Sequence, residues 1–567
     1  MNETQNCNLK SCSRLHLLLL LLIVLAGWWL RTDGIRWGLP FRLHPDEMKY
    51  VTGAALVHQG QWNPKYFRNP PGYSYLNAAW YPLWMYLRAP VEIPEWIEVN
   101  PTLSAPVNDI PSTYRYRPFD LVLGTRYLSA LLGTLTIVMI YLIGIQLHSP
   151  KAGLIAAAVF AVSQISVRDS HFAVNDTAMT FFLMLTAWLG LRMLFGNARR
   201  TLWWAAMVAG VSVSMKYNAF PIIPALWGIL LLQYYRSGQG IPWRRYILEC
   251  VGSGVLALLV FLIIVPFPIT DPGTFWAEIT DLSDKAGKSW QGQEQNWSGF
   301  LLFRSIWISE GVVTSLLALA GVVLLCKEKK WEYLLFPLLY LLLVFTHELY
   351  FMRFAMPLLP WIALFAASAV LRITDSVISN RQMQPIALGI LLVSATVQPV
   401  LQDLRSNDLF HQEDTRVTLL RWFKHKPLLL SRMAVDQFAI PLVYRDVAEP
   451  WSGLHDPRLL PIDVLESEKL SALDTFTDVP VNLIAVSTFV TFPGYVPDTY
   501  PERREAISEF FQAPEPALVI QPFESGWEPS PADVEDTYHP VEHLWSRSQP
   551  GPVIEVFSRG IERERLR

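Results

Sequence analysis

Residues 120–147 read DLVLGTRYLSALLGTLTIVMIYLIGIQL, and this stretch decides the fold class. Its charged side chains are Asp120 and Arg126, and the rest is almost entirely apolar. A helix needs roughly 20 mainly apolar residues to cross a bilayer. The stretch therefore predicts a membrane-spanning helix.

Similar apolar stretches recur along the chain, and together they predict about eleven spans. Three of them (201–215, 217–235 and 331–346) are short, which leaves open tilted pairs or partly re-entrant segments. The other stretches besides 120–147 are 15–31, 151–168, 173–195, 247–268, 301–326, 353–372 and 384–401.

The overall composition agrees with a polytopic α-helical membrane protein. Of 567 residues, 52% are hydrophobic and only 17% are charged, and the mean hydropathy is +0.26. Soluble domains carry about 25% charged residues. The net charge of −3 gives no reason to expect a nucleic-acid partner, and we find no phosphate-binding loop or dinucleotide motif.

Basic residues in the short loops predict the orientation. No small-residue cleavage site follows the first span, so we expect it to remain uncleaved. With the N-terminus in the cytoplasm, every short inner connection is basic, as the positive-inside rule requires. An odd number of spans then leaves the tail outside. The inner residues are Lys151, Arg199, Arg200, Arg236, Arg244, Arg245, Lys327, Lys329, Lys330, Arg372 and Arg381.

This topology divides the chain into a transmembrane module, residues 1–401, and an extracytoplasmic domain, residues 402–567. Short apolar runs (433–435, 482–486 and 553–557), which alternate with helical stretches (414–424 and 502–511), predict a small α/β fold for that domain. The module contains a first external loop, 32–119, and a polar external loop, 269–300, which we expect to be mobile. In the first loop, 45–59 and 72–88 predict surface helices, with Trp80, Tyr81, Trp84 and Tyr86 as interfacial anchors.

The acids Asp46 and Glu47, in His44-Pro45-Asp46-Glu47, are the first candidates for chemistry. Proline followed by acids is also an ordinary helix start. The two interpretations are compatible, because a carboxylate at a helix N-terminus stays ionised and oriented, as a general base requires.

Two further polar groups belong to the same side of the membrane. Arg68 precedes the turn Asn69-Pro70-Pro71-Gly72-Tyr73, which alone is a structural feature. Arg168-Asp169-Ser170-His171 is followed by Asp176 at the start of a span. Asp176 is a cap, a ligand for substrate hydroxyls, or the partner of Arg168.

Two basic residues interrupt or open apolar stretches. Lys216 either snorkels to the outer interface or meets an anion there. Arg353 opens a span on the outer side, where basic residues are unusual. Its planar fork of donors suits phosphate, although a structural pair with Glu348 remains open.

Three alternatives to a metal-free enzyme are a metal site, a transporter and a scaffold. His44, His171 and His347 lack metal-ligand spacing, so a metal site is possible but not favoured. A transporter or lipid flippase would show inverted repeats, which we do not find. A scaffold with a partner-binding tail is the third alternative.

Taken together, the acidic pair, the Pro-Pro turn, Asp176, Lys216-Tyr-Asn218 and Arg353-Phe-Ala-Met-Pro-Leu-Leu-Pro360 resemble one family. They are similar to motifs of GT-C fold glycosyltransferases, in particular protein O-mannosyltransferases and the lipid A aminoarabinose transferase. Arg126-Tyr-Leu-Ser-Ala-Leu-Leu-Gly-Thr-Leu-Thr136 also resembles the second span of bacterial members. Where family members have a Lys-Pro-Pro turn, this chain has Asn69-Pro-Pro.

The resemblance implies an inverting transfer of sugar from a polyprenyl phosphate to a protein, lipid or glycan acceptor outside the cytoplasm. The lipid bilayer, in a bacterial or archaeal plasma membrane, is part of the site, and no cofactor is implied. A metal-dependent oligosaccharide transferase of the same fold is the alternative enzyme. The implied roles are catalytic for Asp46 and Glu47, substrate-binding for Asp176, His171 and Tyr73, and lipid-phosphate-binding for Arg353, Lys216 and Arg68.

Overall fold

The structure is a computed structural model, and it describes most of the transmembrane part and portions of the tail. The predicted helix 502–511 lies outside the described residues. The described residues are 13–41, 43–87, 118–196, 199–238, 240–289, 297–376, 380–425, 433–436, 439, 462–465, 483–487, 515–523 and 543–558.

Helices dominate the described residues, and every predicted span coincides with one helix or with a broken pair. The helices are α1 (Arg14–Thr32), α2 (Glu47–His58), α3 (Gly72–Leu87), α4 (Pro118–Leu147), α5 (Pro150–Ala161), α6 (Gln164–Asp169), α7 (Asp176–Gly196), α8 (Arg200–Met215), α9 (Ile222–Arg236), α10 (Trp243–Ile264), α11 (Phe267–Thr270), α12 (Pro272–Ala286), α13 (Ser298–Lys327), α14 (Leu335–Phe345), α15 (Leu359–Ser376), α16 (Gln384–Phe410) and α17 (Thr415–His425).

Six of the described helices, α1, α4, α7, α10, α13 and α16, are long and apolar enough to cross a membrane. The remaining predicted spans coincide with shorter helices, and the third, 151–168, is divided into α5 and α6. The protein is thus an integral membrane protein, and the count of eleven spans stays a prediction.

Small residues bring the central helices close together. Gly144 of α4 lies against Gly153 of α5, where an added Cβ would stand 2.5 Å from the Gly153 Cα. Such contacts are typical of helix packing in membranes, because apolar side chains gain little by leaving lipid. The packed centre formed by α4, α5 and α7 supports the loops that carry the polar residues described below.

The surface helices α2 and α3 confirm the predicted helices at 45–59 and 72–88, although the predicted anchors differ in exposure. Tyr81 and Trp84 are buried in protein, and the Trp84 indole donates to the Asp120 carbonyl at 2.9 Å. Interfacial anchoring by these two residues is therefore wrong. Tyr86 is 86% exposed, so it is the side chain of this group most available to lipid.

The predicted external loop at 269–300 contains a regular helix. Pro272 at the first position begins α12, and Asp271 at its N-cap accepts a hydrogen bond from the Asn63 amide. Helix α12 thus occupies residues 272–286 of the stretch that was predicted to be a mobile loop. Residues 290–296 lie outside the described part of the chain.

The tail contains a small mixed sheet, which confirms the predicted α/β character. Strand order is β2-β1-β3-β5-β4, with β1 parallel to β2 and β3, and β5 antiparallel to β3 and β4. Helix α16 continues past the predicted domain boundary at 401, which stays a prediction. The strands are β1 (Met433–Asp436), β2 (Ile462–Leu465), β3 (Leu483–Ser487), β4 (Leu518–Ile520) and β5 (Ile554–Ser558).

Candidate active site

Asp46 lies at the N-cap of α2, where the chain enters the helix from the first external loop. Its backbone N–H donates to Nδ1 of His44 at 3.0 Å. Its two carboxylate oxygens contact two different cations: Oδ1 lies 2.8 Å from Lys49 Nζ and Oδ2 lies 3.1 Å from Arg353 Nη1. Lys49 was not among the predicted site residues, although it follows Asp46 by three positions and so lies on the same helix face.

Arg353 reaches Asp46 from a distant part of the chain. It belongs to a 3₁₀ turn, Met352–Ala355, that precedes α15. The Asp46 and Arg353 side chains are 25% and 21% exposed, so solvent or a ligand can reach both. The structure thus brings Asp46 and Arg353, which were both predicted to lie on the outer side, into direct contact.

The two cations keep Asp46 ionised. Burial alone would raise the pKa of the Asp46 carboxyl, but Lys49 and Arg353 outweigh burial and hold that pKa well below its usual range. Burial also lowers the pKa of His44 to about 4. The neutral imidazole can therefore accept the hydrogen bond from the Asp46 backbone.

Asp176 and Lys216 form a second ion pair close to the first. Lys216 Nζ lies 2.6 Å from Asp176 Oδ1 and 5.5 Å from the ring centre of Phe354, the residue after Arg353. Burial and the negative charges of Asp46 and Asp176 together raise the pKa of Tyr50 well above its ordinary value. Tyr50 therefore lies within the electrostatic reach of both carboxylates.

The backbone explains why Lys216 can reach this pair. Helix α8 ends at Met215, and Lys216 adopts an extended conformation that breaks the apolar stretch before α9. Gly72 packs against this break, where an added Cβ would stand 2.3 Å from the Ser214 carbonyl oxygen. The Pro-Pro-Gly turn is thus fixed beside Lys216.

Arg168 pairs with Asp169 at 2.7 Å, so the alternative pairing of Asp176 with Arg168 is wrong.

Glu47 faces away from Asp46 into the protein. Both of its oxygens accept from Arg126 of α4, at 2.7 and 2.8 Å, and Oε1 also accepts from the Ala173 N–H at 2.9 Å. Arg126 in turn donates to the carbonyl oxygens of Ile35 and Trp37. Glu47 and Arg126 are buried, so this pair joins the first external loop to α4.

Arg68 does not join the cations at Asp46. Its Nε lies 2.6 Å from Asp281 Oδ2 and 3.5 Å from Glu278 Oε2, both on α12. Lys65 likewise contacts Asp271 at 2.7 Å. The Pro-Pro turn and helix α12 are therefore held together by ion pairs.

Two other predicted substrate contacts are occupied by the protein itself. The nitrogens of the His171 ring lie 2.9 Å from the Val167 carbonyl and 2.8 Å from the Asp33 carbonyl. The fully buried Tyr73 hydroxyl lies 2.6 Å from Ser129 Oγ. The structure gives both residues packing roles and does not bring them to Asp46.

The candidate metal ligands do not converge. His44 and His171 are committed to backbone partners. Among the residues that the structure describes, no three His, Cys, Asp or Glu side chains form a group that could hold a metal ion.

One model of a known protein family matches part of the chain. Residues 121–267 match the family model described as dolichyl-phosphate-mannose-protein mannosyltransferase. A search of curated protein sequences gives no match.

Three solved structures are similar in fold. The apo oligosaccharyltransferase of Archaeoglobus fulgidus has a TM-score of 0.51 at 12% identity, covering 86% of this chain and 71% of its own. The same enzyme tethered to an acceptor peptide has a TM-score of 0.50 at 12% identity, and the match covers 88% of this chain and 72% of that enzyme. ArnT from Cupriavidus metallidurans bound to undecaprenyl phosphate has a TM-score of 0.50 at 13% identity, and the match covers 87% of this chain and 95% of ArnT. The chain thus shares the fold of these enzymes, and the partial family match over residues 121–267 supports a membrane glycosyltransferase.

Proposed function

We propose that the chain transfers a sugar from a polyprenyl phosphate to an acceptor on the outer side of the membrane, with Asp46 as the general base. The observation that carries this proposal is the partly exposed Asp46 carboxylate in contact with Arg353 and beside the Asp176–Lys216 pair. A base and a phosphate-binding cation are thus present within one small region.

In this reaction the acceptor hydroxyl attacks the anomeric carbon from the face opposite the phosphate. Its oxygen forms a bond to that carbon, its proton passes to Asp46, and the bond from the carbon to the phosphate oxygen breaks. The electron pair of that bond stays on the phosphate, where Arg353 offsets the added charge. Inversion at the anomeric carbon follows.

The similar structures support the kinds of substrate. ArnT of Cupriavidus metallidurans was solved with undecaprenyl phosphate, and the Archaeoglobus fulgidus enzyme was solved with a tethered acceptor peptide. By analogy, the donor here is a polyprenyl-phosphate sugar and the acceptor approaches from outside.

The remaining polar residues support this centre in different ways. The Asp176–Lys216 pair lies beside Phe354, and in this proposal the Asp176 carboxylate accepts hydrogen bonds from sugar hydroxyls. Glu47 serves by holding the start of α2 against α4, which fixes the position of Asp46. We therefore assign Glu47 as a positioning residue.

The proposed topology has the N-terminus in the cytoplasm, eleven spans and residues 402–567 outside. Basic residues in the short inner loops support it. This orientation places Asp46, Asp176 and Arg353 on the outer side, as the reaction requires. Impermeant labelling of a cysteine introduced at the exposed residue Gln412 in intact cells tests this orientation.

The test is transfer of labelled sugar from a set of polyprenyl-phosphate donors, in membranes that contain the native acceptor. We expect Asp46→Asn to lower transfer about 10²- to 10⁴-fold, the range for loss of a general base. Asp271→Asn is the matched control, because Asp271 is also an external aspartate paired with a lysine. Normal transfer by folded Asp46→Asn protein would refute the proposal, and loss of transfer on chelation would favour the metal-dependent alternative.

A further inference from the structure

Lys49 is the cation nearest to Asp46 for which the reaction described above has no use. It lies one turn into α2, and it contacts one carboxylate oxygen while Arg353 contacts the other. Lys49 is 21% exposed, so its ammonium group is accessible. Two accessible cations on one carboxylate are more than is needed to keep that carboxylate ionised.

Aromatic rings hold Lys49 in this position. Its Nζ lies 5.2 Å from the ring centre of Tyr50 and 5.6 Å from that of Tyr66. The Tyr66 hydroxyl accepts a hydrogen bond from the Asn69 amide at 3.4 Å. Lys49 therefore lies beside the Asn69-Pro-Pro turn.

Arg68 was predicted to bind the lipid phosphate, and its contacts argue against this role. Its guanidinium is bound by Asp281 and Glu278 of α12. To reach a phosphate at Asp46, Arg68 would have to leave two carboxylates. Lys49 has only to move from Asp46 to a neighbouring anion.

We propose that Lys49, together with Arg353, binds the phosphate of the lipid donor, and that this phosphate takes both cations from Asp46. This proposal rests on the proposed function and adds a residue and an order of events to it. Before the donor binds, Lys49 and Arg353 each contact one carboxylate oxygen of Asp46. When the donor phosphate binds, the carboxylate is released to accept a proton.

The charges along the reaction favour this exchange. As the anomeric bond breaks, the phosphate diester with one negative charge becomes a monoester that gains a second charge. At the same time Asp46 takes the acceptor proton and becomes neutral. Negative charge therefore passes from Asp46 to the phosphate, and the cations follow it by moving between adjacent anions.

Binding of undecaprenyl phosphate to the purified full-length protein tests the assignment without any need for catalysis. Loss of a hydrogen bond to a charged group weakens binding by about 10- to 100-fold. We expect that loss for Lys49→Gln and recovery to within about 3-fold of wild type for Lys49→Arg, because a guanidinium keeps the charge. We expect Arg68→Gln, the matched control, to bind within about 2-fold of wild type.

The Asp46→Asn change should not weaken donor binding, in contrast to Lys49→Gln. Because the amide no longer competes for Lys49 and Arg353, this variant is expected to bind undecaprenyl phosphate at least as tightly as wild type while losing transfer. Unchanged binding by Lys49→Gln, or a loss with Arg68→Gln as large as that with Lys49→Gln, would overturn the assignment of Lys49. Weaker binding by Asp46→Asn would overturn the exchange.

The experiments test the assignment of Asp46 as the base separately from the assignment of Lys49 as a phosphate ligand. If Lys49→Gln binds weakly but Asp46→Asn transfers normally, the phosphate site stands and the assignment of the base is wrong. If Asp46→Asn loses transfer but Lys49→Gln binds normally, the base stands and Lys49 is not a phosphate ligand.

Discussion

Asp46 and Glu47 are neighbours in the chain, yet their carboxylates lie in opposite environments. Asp46 is partly exposed and shares its oxygens between two cations from different elements. Glu47 is buried, and a single guanidinium and one backbone N–H occupy its oxygens. One carboxylate can exchange partners, and the other cannot.

This difference separates chemistry from support. A buried, fully bonded ion pair loses much free energy when one partner is removed, because the other charge is left without compensation. An accessible ion pair is weak in free energy, since water and other ions replace either partner. We therefore expect changes at Glu47 to affect folding and changes at Asp46 to affect transfer.

The largest effect on stability is expected for Glu47→Ala. This change leaves Arg126 buried without its counter-charge, and we expect a loss of about 3 to 5 kcal/mol in the free energy of unfolding. Denaturant titration in mild detergent measures this loss. Asp46→Ala is the matched control, with an expected loss below about 1 kcal/mol. Equal losses for the two variants would contradict the comparison.

A smaller effect is expected from protonation of His44, which supports Asp46 through its backbone. Burial lowers the pKa of His44 to about 4 from 6.5, so the unfolded chain binds this proton more readily. Stability is therefore lost as the pH falls from 6.5 towards 4, by about 3 kcal/mol at 1.36 kcal/mol per pKa unit. In His44→Asn, whose side chain accepts the same N–H without titrating, the loss across this pH range should be reduced by that amount. An identical pH dependence in the two proteins would contradict this role.

The smallest effect is expected at the exposed ion pair of Arg68. Arg68→Gln removes the contacts with Asp281 and Glu278, which lie at the surface and are screened by water and salt. We expect no measurable change in the thermal midpoint of unfolding. A loss comparable with that of Glu47→Ala would show that the contact between α12 and the turn is a structural support rather than a surface pair.

Much of the fold follows from the sequence, because apolar length alone predicts membrane helices. The predicted spans, the surface helices α2 and α3, and the runs that became β1, β3 and β5 coincide with described elements. Helix α12 was missed, because an amphipathic helix between polar residues is difficult to distinguish from a polar loop. The short strands β2 and β4 gave too little alternation to be recognised.

The site was predicted only in part, because its contacts join distant segments. Sequence placed Asp46 and Arg353 on one side of the membrane, but it could not show which of the adjacent acids faces the interior. Arg126 offered an overlooked signal, since a charge within an apolar span requires a buried partner. Lys49 offered another, because residues three apart meet on one helix face.

The central claim is that Asp46 accepts the proton of the acceptor, and a single-turnover measurement tests it most directly. The protein is first saturated with a labelled polyprenyl-phosphate sugar, native acceptor is then added, and the rate of label transfer is followed. Because the donor is already bound, this rate reports the chemical step apart from donor binding. The account predicts that Asp46→Asn slows this step by about 100-fold or more. A rate within a few-fold of wild type, with the same amount of bound donor, would contradict it.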